Sequence, residues 1–242
     1  MPAAKLRVQL IAYTPDPEKT CALAARTCYS AMDMDGLQQL VAEKDQGEFL
    51  RRVIASGHLS VLEHAAFTFS VEGVSRALLA QVTRHRIASF SVQSQRYVSL
   101  AEGFRYIIPD RIRNLGDEAV AEFEAQMAQM HAWYQGWQEK LGKGEGSNED
   151  ARFVLPNACD TKMVVTMNAR SLLNFFRLRC CNRAQWEIRE VARQMLMLVR
   201  EVAPHIFAKA GPACLKGPCP EGAKTCGKMV EVRNLYKANT NA

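Results

Sequence analysis

Apolar and polar positions follow two different periods along the chain, and segments of both kinds alternate through its length. Alternation at every second residue predicts strands over 6–14, 65–72 and 161–169. Apolar residues spaced three or four positions apart predict long helices over 117–141 and 184–210. These elements do not form a strand–helix–strand repeat. The predicted fold is therefore α+β, a single domain with a mixed or antiparallel sheet flanked by long helices.

Weaker signals predict the elements between these segments. Ser60 followed by Glu63 fits a capping box for a short helix, and Gly73 is expected to end the second strand. Residues 86–99 are rich in Ser and Gln and predict a long loop, whereas the Gly-rich stretch 142–150 predicts a flexible, exposed connection. Helical spacing also predicts helices over 15–30, 36–56, 74–86 and 170–182.

The composition is that of a folded protein. Of the 242 residues, 48% are hydrophobic and 23% are charged, which excludes wholesale disorder and low-complexity structure. We expect one domain over 1–210, followed by a Cys/Gly/Pro-rich tail over 211–242. No apolar run reaches about 18 residues, and the N-terminal segment lacks the long apolar core of a signal peptide. The eight cysteines are expected to be free thiols, so a cytoplasmic protein is predicted.

Positive charge is concentrated in two windows without acidic residues, although the net charge is only +6. The first window, 73–101, combines basic side chains with Ser and Gln, which suit a phosphate or the polar edge of a base. Its cations could instead pair with acids elsewhere in the fold. A nucleic-acid-binding module is disfavoured, because few aromatic residues lie between the basic ones. The basic residues of this window are Arg76, Arg84, His85, Arg86 and Arg96.

The second window, 161–186, lies mostly on a predicted helix. Arg170 and Arg179 are nine residues apart in it, which at about 100° per residue places them nearly opposite each other on a straight helix. Either the helix is distorted, or it stands between two pockets, as at a subunit interface. A solvated cationic face is the alternative.

Three segments resemble one enzyme family. RHRIASFSVQS, at 84–94, matches the RHR-x7-S signature of the flavin-dependent thymidylate synthases. GHLSVLEH, at 57–64, is similar to that family's upstream GHxSxxEH segment, and 167–188 is similar to its downstream NxRSLxNFxxLR…AQWEI block. The order and spacing of the three segments also agree with the family.

The resemblance implies an activity and an assembly. It implies a methyltransferase that converts dUMP to dTMP by reductive methylation, with FAD as cofactor, methylenetetrahydrofolate as one-carbon donor and NADPH as reductant. It also implies a homotetramer whose active sites are shared between subunits, with neither nucleic acid nor membrane as a partner. The matching motifs do not place a cysteine at the substrate. Activation of the uracil ring by a nearby charge therefore replaces a thiolate nucleophile.

The family's site residues carry over position by position. Arg179 is implied as the catalytic residue, lying against the uracil and favouring the anionic form of its ring. Many family members carry Glu or Gln where this chain has Val92, and Gln93 is included after a local shift. Residues implied for dUMP are Gln81, Arg84, Gln93, Ser94, Gln95, Arg96, Arg152 and Arg179. Residues implied for the flavin are His58, Ser60, Arg84, His85, Arg86, Asn168, Arg170 and Asn174.

The tail carries a separate group of thiols at Cys214, Cys219 and Cys226. Zinc sites usually have four ligands and a CxxC pair, and neither is present locally. Loose reduced thiols are the first interpretation. A metal site completed by His205 or another cysteine and a disulfide are the alternatives. His131 and His205 themselves lie in predicted helices and are expected to be structural.

Overall fold

A computed structural model describes residues 1–236, so residues 237–242 of the predicted tail lie outside the described chain. Within that range the strands form a four-stranded sheet of order β1–β2–β4–β3. Thr14 N–H donates to the Ala66 carbonyl at 2.9 Å, and Gln93 N–H donates to the Lys162 carbonyl at 3.0 Å. The predicted α+β class is confirmed, and the sheet is antiparallel. The strands are β1 Arg7–Tyr13, β2 Ala66–Ser75, β3 Ser89–Val92 and β4 Asp160–Asn168.

Helices connect and cover these strands. The first part of the chain contains α1 Pro17–Thr27, α2 Met34–Glu43, α3 Gly47–Ala55 and α4 Arg76–Val82. The middle contains α5 Asp110–Arg113, α6 Asp117–Leu141 and α7 Glu145–Ala151. The last part contains α8 Ala169–Arg179, α9 Trp186–Val202, α10 Pro204–Phe207 and α11 Met229–Tyr236. Short 3₁₀ turns cover Ser60–His64, Arg152–Val154, Ala213–Leu215 and Gly222–Lys224. Among residues 1–236, no helix combines the length and apolarity needed to cross a bilayer.

The chain divides into two compact units, and each is assembled from separate stretches of sequence. Unit 1 consists of Met1–Arg7, Ser70–Arg84 and Phe90–Val164. Unit 2 consists of Val8–Phe69, His85–Ser89 and the described chain from Val165 onward. The boundaries of these units differ from the expected division at residue 210, which stays a prediction.

Unit 1 is built around α6, whose predicted limits and apolar stripe are confirmed. Met127 and Tyr134 of that stripe are buried, and Phe123 packs on the ring of Tyr106 with 6.2 Å between centroids. His131 lies on the same helix, with its Nε2 within 2.9 Å of the Leu100 carbonyl, in agreement with the structural role expected of it.

Unit 2 has an aromatic core. Phe67 on β2 and Phe176 on α8 both pack edge-to-face on Phe207, with centroids 5.5 and 5.9 Å apart. His205, two residues earlier, has its Nδ1 2.7 Å from a carboxylate oxygen of Glu18 on α1. This contact ties α10 to α1, so His205 is structural as expected.

Glycine and proline explain where two predictions of element limits were wrong. Gly73 does not end β2, which continues to Ser75. It has φ +68°, and a Cβ there would lie 2.0 Å from the Lys5 carbonyl oxygen, so only glycine fits. The predicted helix over 184–210 breaks at Ala203 because Pro204 starts α10.

Four other predictions of local structure were wrong. The expected helix over 36–56 is interrupted between α2 and α3, and the expected loop over 86–99 contains β3. Residues 142–150, expected to be a flexible connection, include most of α7. Ser60 does not cap a helix with its side chain, since Leu59 holds the cap position of the 3₁₀ turn.

The tail is folded as part of unit 2. The Arg233 guanidinium on α11 donates to the carbonyls of Cys214 and Gly217 at 2.9 and 2.7 Å. The Tyr236 hydroxyl donates to the Cys180 carbonyl at 3.3 Å. Burial raises the pKa of the Cys214 thiol, and three neighbouring thiols raise it further, those of Cys181, Cys219 and Cys226.

Candidate active site

Helix α8 carries several of the implied site residues, and its sequence explains where it begins. Asn168 ends β4 in an extended conformation, and its Oδ1 accepts the Ser171 N–H at 2.8 Å. This side-chain cap satisfies one of the free N–H groups of the first turn. Because the apolar face of α8 is buried, Arg170, Asn174 and Arg179 are held on a rigid element.

Arg170 forms an ion pair with Glu63 of the Ser60–His64 turn. The two side chains are 52% and 47% exposed, so the pair contributes little to stability. Its effect is on position, because it holds a guanidinium beside the start of α8. Free N–H groups and the helix dipole at that end already favour an anion.

Arg179, in the last turn of α8, is paired with a histidine. Its Nε donates to His85 Nε2 at 3.0 Å, and the His85 ring packs edge-on against Phe175 with 4.9 Å between centroids. Burial, and then the charge of Arg179, lowers the pKa of His85 to about 4. The imidazole is therefore neutral at pH 7, with its proton on Nδ1 and its Nε2 acting as the acceptor. His85 thus fixes the orientation of Arg179.

Three more implied flavin residues are exposed in unit 2. His58 lies before the 3₁₀ turn, with its Nδ1 3.3 Å from the Tyr29 hydroxyl. Ser60 is the first residue of that turn. Asn174 accepts a hydrogen bond from Arg177 Nη2 at 3.0 Å. Each offers a polar group at the surface that also contains the start of α8.

Gln93, Ser94 and Gln95 line one cavity of about 240 Å³ in unit 1, together with two carboxylates and two cations. The Ser94 hydroxyl accepts N–H bonds from the next turn of chain at 3.1 and 3.4 Å, so it shapes the loop. Thr161 also lines the cavity, and its buried hydroxyl lacks a hydrogen-bond partner among residues 1–236. Leaving a buried hydroxyl unpaired costs about 1–3 kcal/mol, and this hydroxyl is itself shielded from the open part of the cavity.

Arg96 and Arg152, both implied for dUMP, contact residues of the same helix, α7. Arg96 pairs with Glu145 at 2.5 Å and with Glu149 at 2.9 Å. Arg152 Nε donates to the Glu149 carbonyl at 3.0 Å. Arg96 therefore pairs with acidic residues outside the acid-free window 73–101. This agrees with the alternative interpretation of that window, in which its cations pair with acids elsewhere in the fold.

The implied residues are distributed between the two units according to their expected ligands. Arg84 is exposed, and its Nε donates to the Ala80 carbonyl at 3.3 Å. The dUMP residues in unit 1 are Gln81, Arg84, Gln93, Ser94, Gln95, Arg96 and Arg152. The residues in unit 2 are His58, Ser60, His85, Arg86, Asn168, Arg170, Asn174 and Arg179. Each ligand therefore has most of its implied contacts within one unit.

Sequence patterns do not reveal several of the contacts and groups at the candidate site. Glu145 and Glu149 were assigned to a loop, although their spacing of four places both carboxylates on one helix face. Thr161 has no sequence signal beyond its position on a strand. The pairing of His85 with Arg179 joins residues 94 positions apart, and only the fold reveals it.

These features define the class of the protein. In unit 2, Arg170 lies at a helix start that favours anions, and a neutral histidine fixes Arg179 at the other end of the same helix. Such groups are typical of a protein that binds anionic nucleotides.

The chain belongs to the family described as thymidylate synthase complementing protein, whose model matches residues 9–205. The match ends before the cysteine-bearing tail. The chain is 50% identical over 235 residues to the flavin-dependent thymidylate synthase of Geobacter sulfurreducens, covering 96% of this chain and 98% of that protein. It is 46% identical over 243 residues to the enzyme of the same name from Clostridium tetani, covering 96% and 97%. It is 49% identical over 240 residues to that of Nitratidesulfovibrio vulgaris, covering 94% and 97%.

Proposed function

We propose that this protein is a flavin-dependent thymidylate synthase that converts dUMP to dTMP. Methylenetetrahydrofolate supplies the carbon, and NADPH supplies the reducing equivalents through FAD. The observation that carries the proposal is α8, where the family's downstream motif forms one rigid helix with Arg170 at its start and Arg179 at its end. Family membership and near-complete alignment with enzymes of that name support it.

The residues of unit 2 fit the chemistry of FAD. A dinucleotide presents a pyrophosphate and several ribose hydroxyls, which need cationic and amide partners. Arg170 and the capped start of α8 would receive the negative charge, while Asn174, Ser60 and His58 offer polar contacts. His85 and Arg86 would approach the flavin. FAD supplies the hydride chemistry of the reaction when bound.

Arg179 is proposed as the catalytic residue, and His85 as the residue that positions it. Against the uracil ring, a fixed guanidinium would stabilise the negative charge that develops when carbon 5 becomes nucleophilic. A neutral His85 holds the Arg179 Nε without adding a second positive charge. Gln81, Arg84, Arg152 and the polar loop at 93–96 would bind the nucleotide.

The thiols are consistent with the absence of a cysteine nucleophile from the proposed mechanism. Burial is the main cause that raises the pKa of Cys159 and of Cys180 to about 12, so both are protonated at neutral pH. A thiol in this state is a poor nucleophile.

The homotetramer and the cytoplasmic location are part of the same proposal. Arg170 and Arg179 contact different partners, Glu63 and His85, as expected of a helix that presents two arginines to separate pockets. All eight cysteines lie in the described chain and are free there, which is typical of a reducing compartment.

An absorbance spectrum of the purified protein tests the proposal. Flavin bands in the native protein, or after incubation with FAD, are expected, together with dTMP formation that requires dUMP, methylenetetrahydrofolate and NADPH. A protein that stays colourless after incubation with FAD, or that oxidises NADPH without any response to dUMP, would contradict it.

A further inference from the structure

Four of the eight cysteines line one cavity at the end of α8. Cys181 follows that helix, and the other three lie on the tail, at Cys214, Cys219 and Cys226. The cavity has a volume of about 280 Å³. Three of these thiols belong to the tail, and the fold places the fourth, Cys181, beside them.

The cavity belongs to unit 2, and other bonds hold the tail beside it. Arg233 binds the carbonyls of Cys214 and Gly217, so the chain on either side of Leu215 is fixed to α11. Arg200 on α9 donates to the Tyr236 carbonyl at 3.1 Å, which holds the end of α11. The convergence of the thiols therefore follows from an anchored tail.

The turn after α8 already provides N–H donors to two of the sulfurs. The Arg183 backbone N–H donates to Cys181 Sγ at 3.5 Å, and the Asn182 amide donates to Cys226 Sγ at 3.9 Å. Such N–H···S contacts stabilise negative charge on sulfur and are typical of the groups that surround metal-bound thiolates.

We propose that Cys181, Cys214, Cys219 and Cys226 form a structural site for a single soft divalent cation, with zinc as the ion that fits best. Four thiolates are a common ligand set of structural zinc. Calcium and magnesium prefer six or more oxygen ligands, whereas, within the described chain, four thiols and a single carboxylate, Glu221, line this cavity. His205 is not a ligand, since it pairs with Glu18 and does not line this cavity.

Binding requires the sulfurs to move closer together. Among residues 1–236, no three ligand-type side chains are already arranged to hold a metal ion. Zinc–sulfur bonds are about 2.3 Å long, so the segment carrying Cys219 and Cys226 would close onto Cys181 and Cys214. That segment lies among glycines, prolines and a short 3₁₀ turn, so no long helix has to be unwound. Each thiol releases its proton as the metal binds.

Metal analysis of the purified full-length protein tests this site independently of its enzymatic activity. The protein is prepared without chelators, and zinc is measured by mass spectrometry before and after anaerobic incubation with zinc chloride and gel filtration. About one zinc per chain is expected. Cys181→Ser and Cys219→Ser should each lose most of it, whereas Cys28→Ser, which changes an exposed thiol outside the cavity, should retain it.

Cobalt and thiol alkylation supply readouts that do not depend on a variant folding. Cobalt should produce sulfur-to-metal charge-transfer bands in the unmodified protein, and zinc should protect four thiols from iodoacetamide in peptide mapping. The proposal is overturned if neither ion is retained, if both serine variants keep full zinc content, or if mapping shows a disulfide between these cysteines. Iron with acid-labile sulfide in place of zinc would also overturn it.

Discussion

At the scale of single residues, the pairing of Arg179 with His85 combines a permanent charge with a ring that stays neutral. A charge aimed at a reacting atom is useful only if its direction is fixed before the reaction starts. The 3.0 Å bond from Arg179 Nε to His85 Nε2 provides that direction.

Replacement of Arg179, the proposed catalytic residue, should have a large effect on turnover. Arg179→Ala is expected to lower kcat by about 100- to 1000-fold, the usual effect of removing one group that stabilises developing charge, while FAD remains bound. Steady-state dTMP formation and the flavin spectrum measure the two effects. Arg111→Ala, at an exposed arginine of α5, is the control and should keep most of its activity. Wild-type turnover in Arg179→Ala would refute the assignment.

The depressed pKa of His85 predicts a specific loss of stability in acid. Burial, and then Arg179, lowers this pKa from 6.5 to about 4, so the unfolded chain binds a proton at a higher pH than the folded protein does. The contribution of His85 is fully present above pH 6.5, declines as the pH falls towards 4, and levels off below that. Urea unfolding between pH 7 and 4 should show a shallower decline for His85→Gln than for the wild type. His64→Gln, at an exposed histidine, should follow the wild type, and equal slopes for all three proteins would contradict this account.

At the scale of helices and strands, α7 is the element that sequence patterns misjudged. Its glycines and polar residues are typical of a loop, but Glu145 and Glu149 both pair with Arg96, and the Asn148 amide donates to the Arg96 carbonyl at 3.0 Å. Tertiary contacts therefore stabilise a helix of low intrinsic propensity.

The two glutamates should compete with the phosphate of dUMP for Arg96. The double variant Glu145→Gln/Glu149→Gln is expected to lower the KM for dUMP several-fold at most, since exposed ion pairs contribute little free energy. kcat should be unchanged, because neither residue contacts the reacting atoms. Initial rates over a range of dUMP concentrations measure both constants, with Asp150→Asn as the control on the same helix. A higher KM in the double variant would mean that the glutamates hold Arg96 in its binding position.

Sequence patterns predicted elements well where burial alone decides the structure. Helix α6 was predicted with its observed limits, because its apolar stripe repeats over seven turns. β4 and α8 also agree closely, since Asn168 provides both a strand end and a helix cap. Short elements such as β3 and α7 are stabilised by partners far away in the sequence, so the local residue pattern does not predict these elements. For the same reason, the motifs imply individual site residues, which stay predictions, whereas only the fold reveals the partners of Arg96, Arg170 and Arg179.

At the scale of the whole molecule, the proposed shared site can be tested by mixing inactive proteins. Arg170→Ala and Arg179→Ala should each be inactive alone. If each pocket takes these residues from different chains, random exchange of subunits would restore about a quarter of the sites. Activity after exchange through mild denaturant, compared with each variant treated alone, measures the effect. A fully active monomer in sedimentation would rule out shared sites.

The division of the chain into interleaved stretches has a consequence for its synthesis. Unit 2 begins at Val8, yet its core needs Phe176 and Phe207, and unit 1 needs Met1–Arg7 together with residues up to Val164. A ribosome releases the chain from the N-terminus, so β1 meets its neighbour β2 early, but β2 must wait for β4 at Asp160–Asn168. Neither unit can be completed on the ribosome until most of the chain has emerged. Truncated mRNAs should therefore produce chains without a complete hydrophobic core. Ribosome-stalled chains of this protein should depend on chaperones that shield exposed apolar segments.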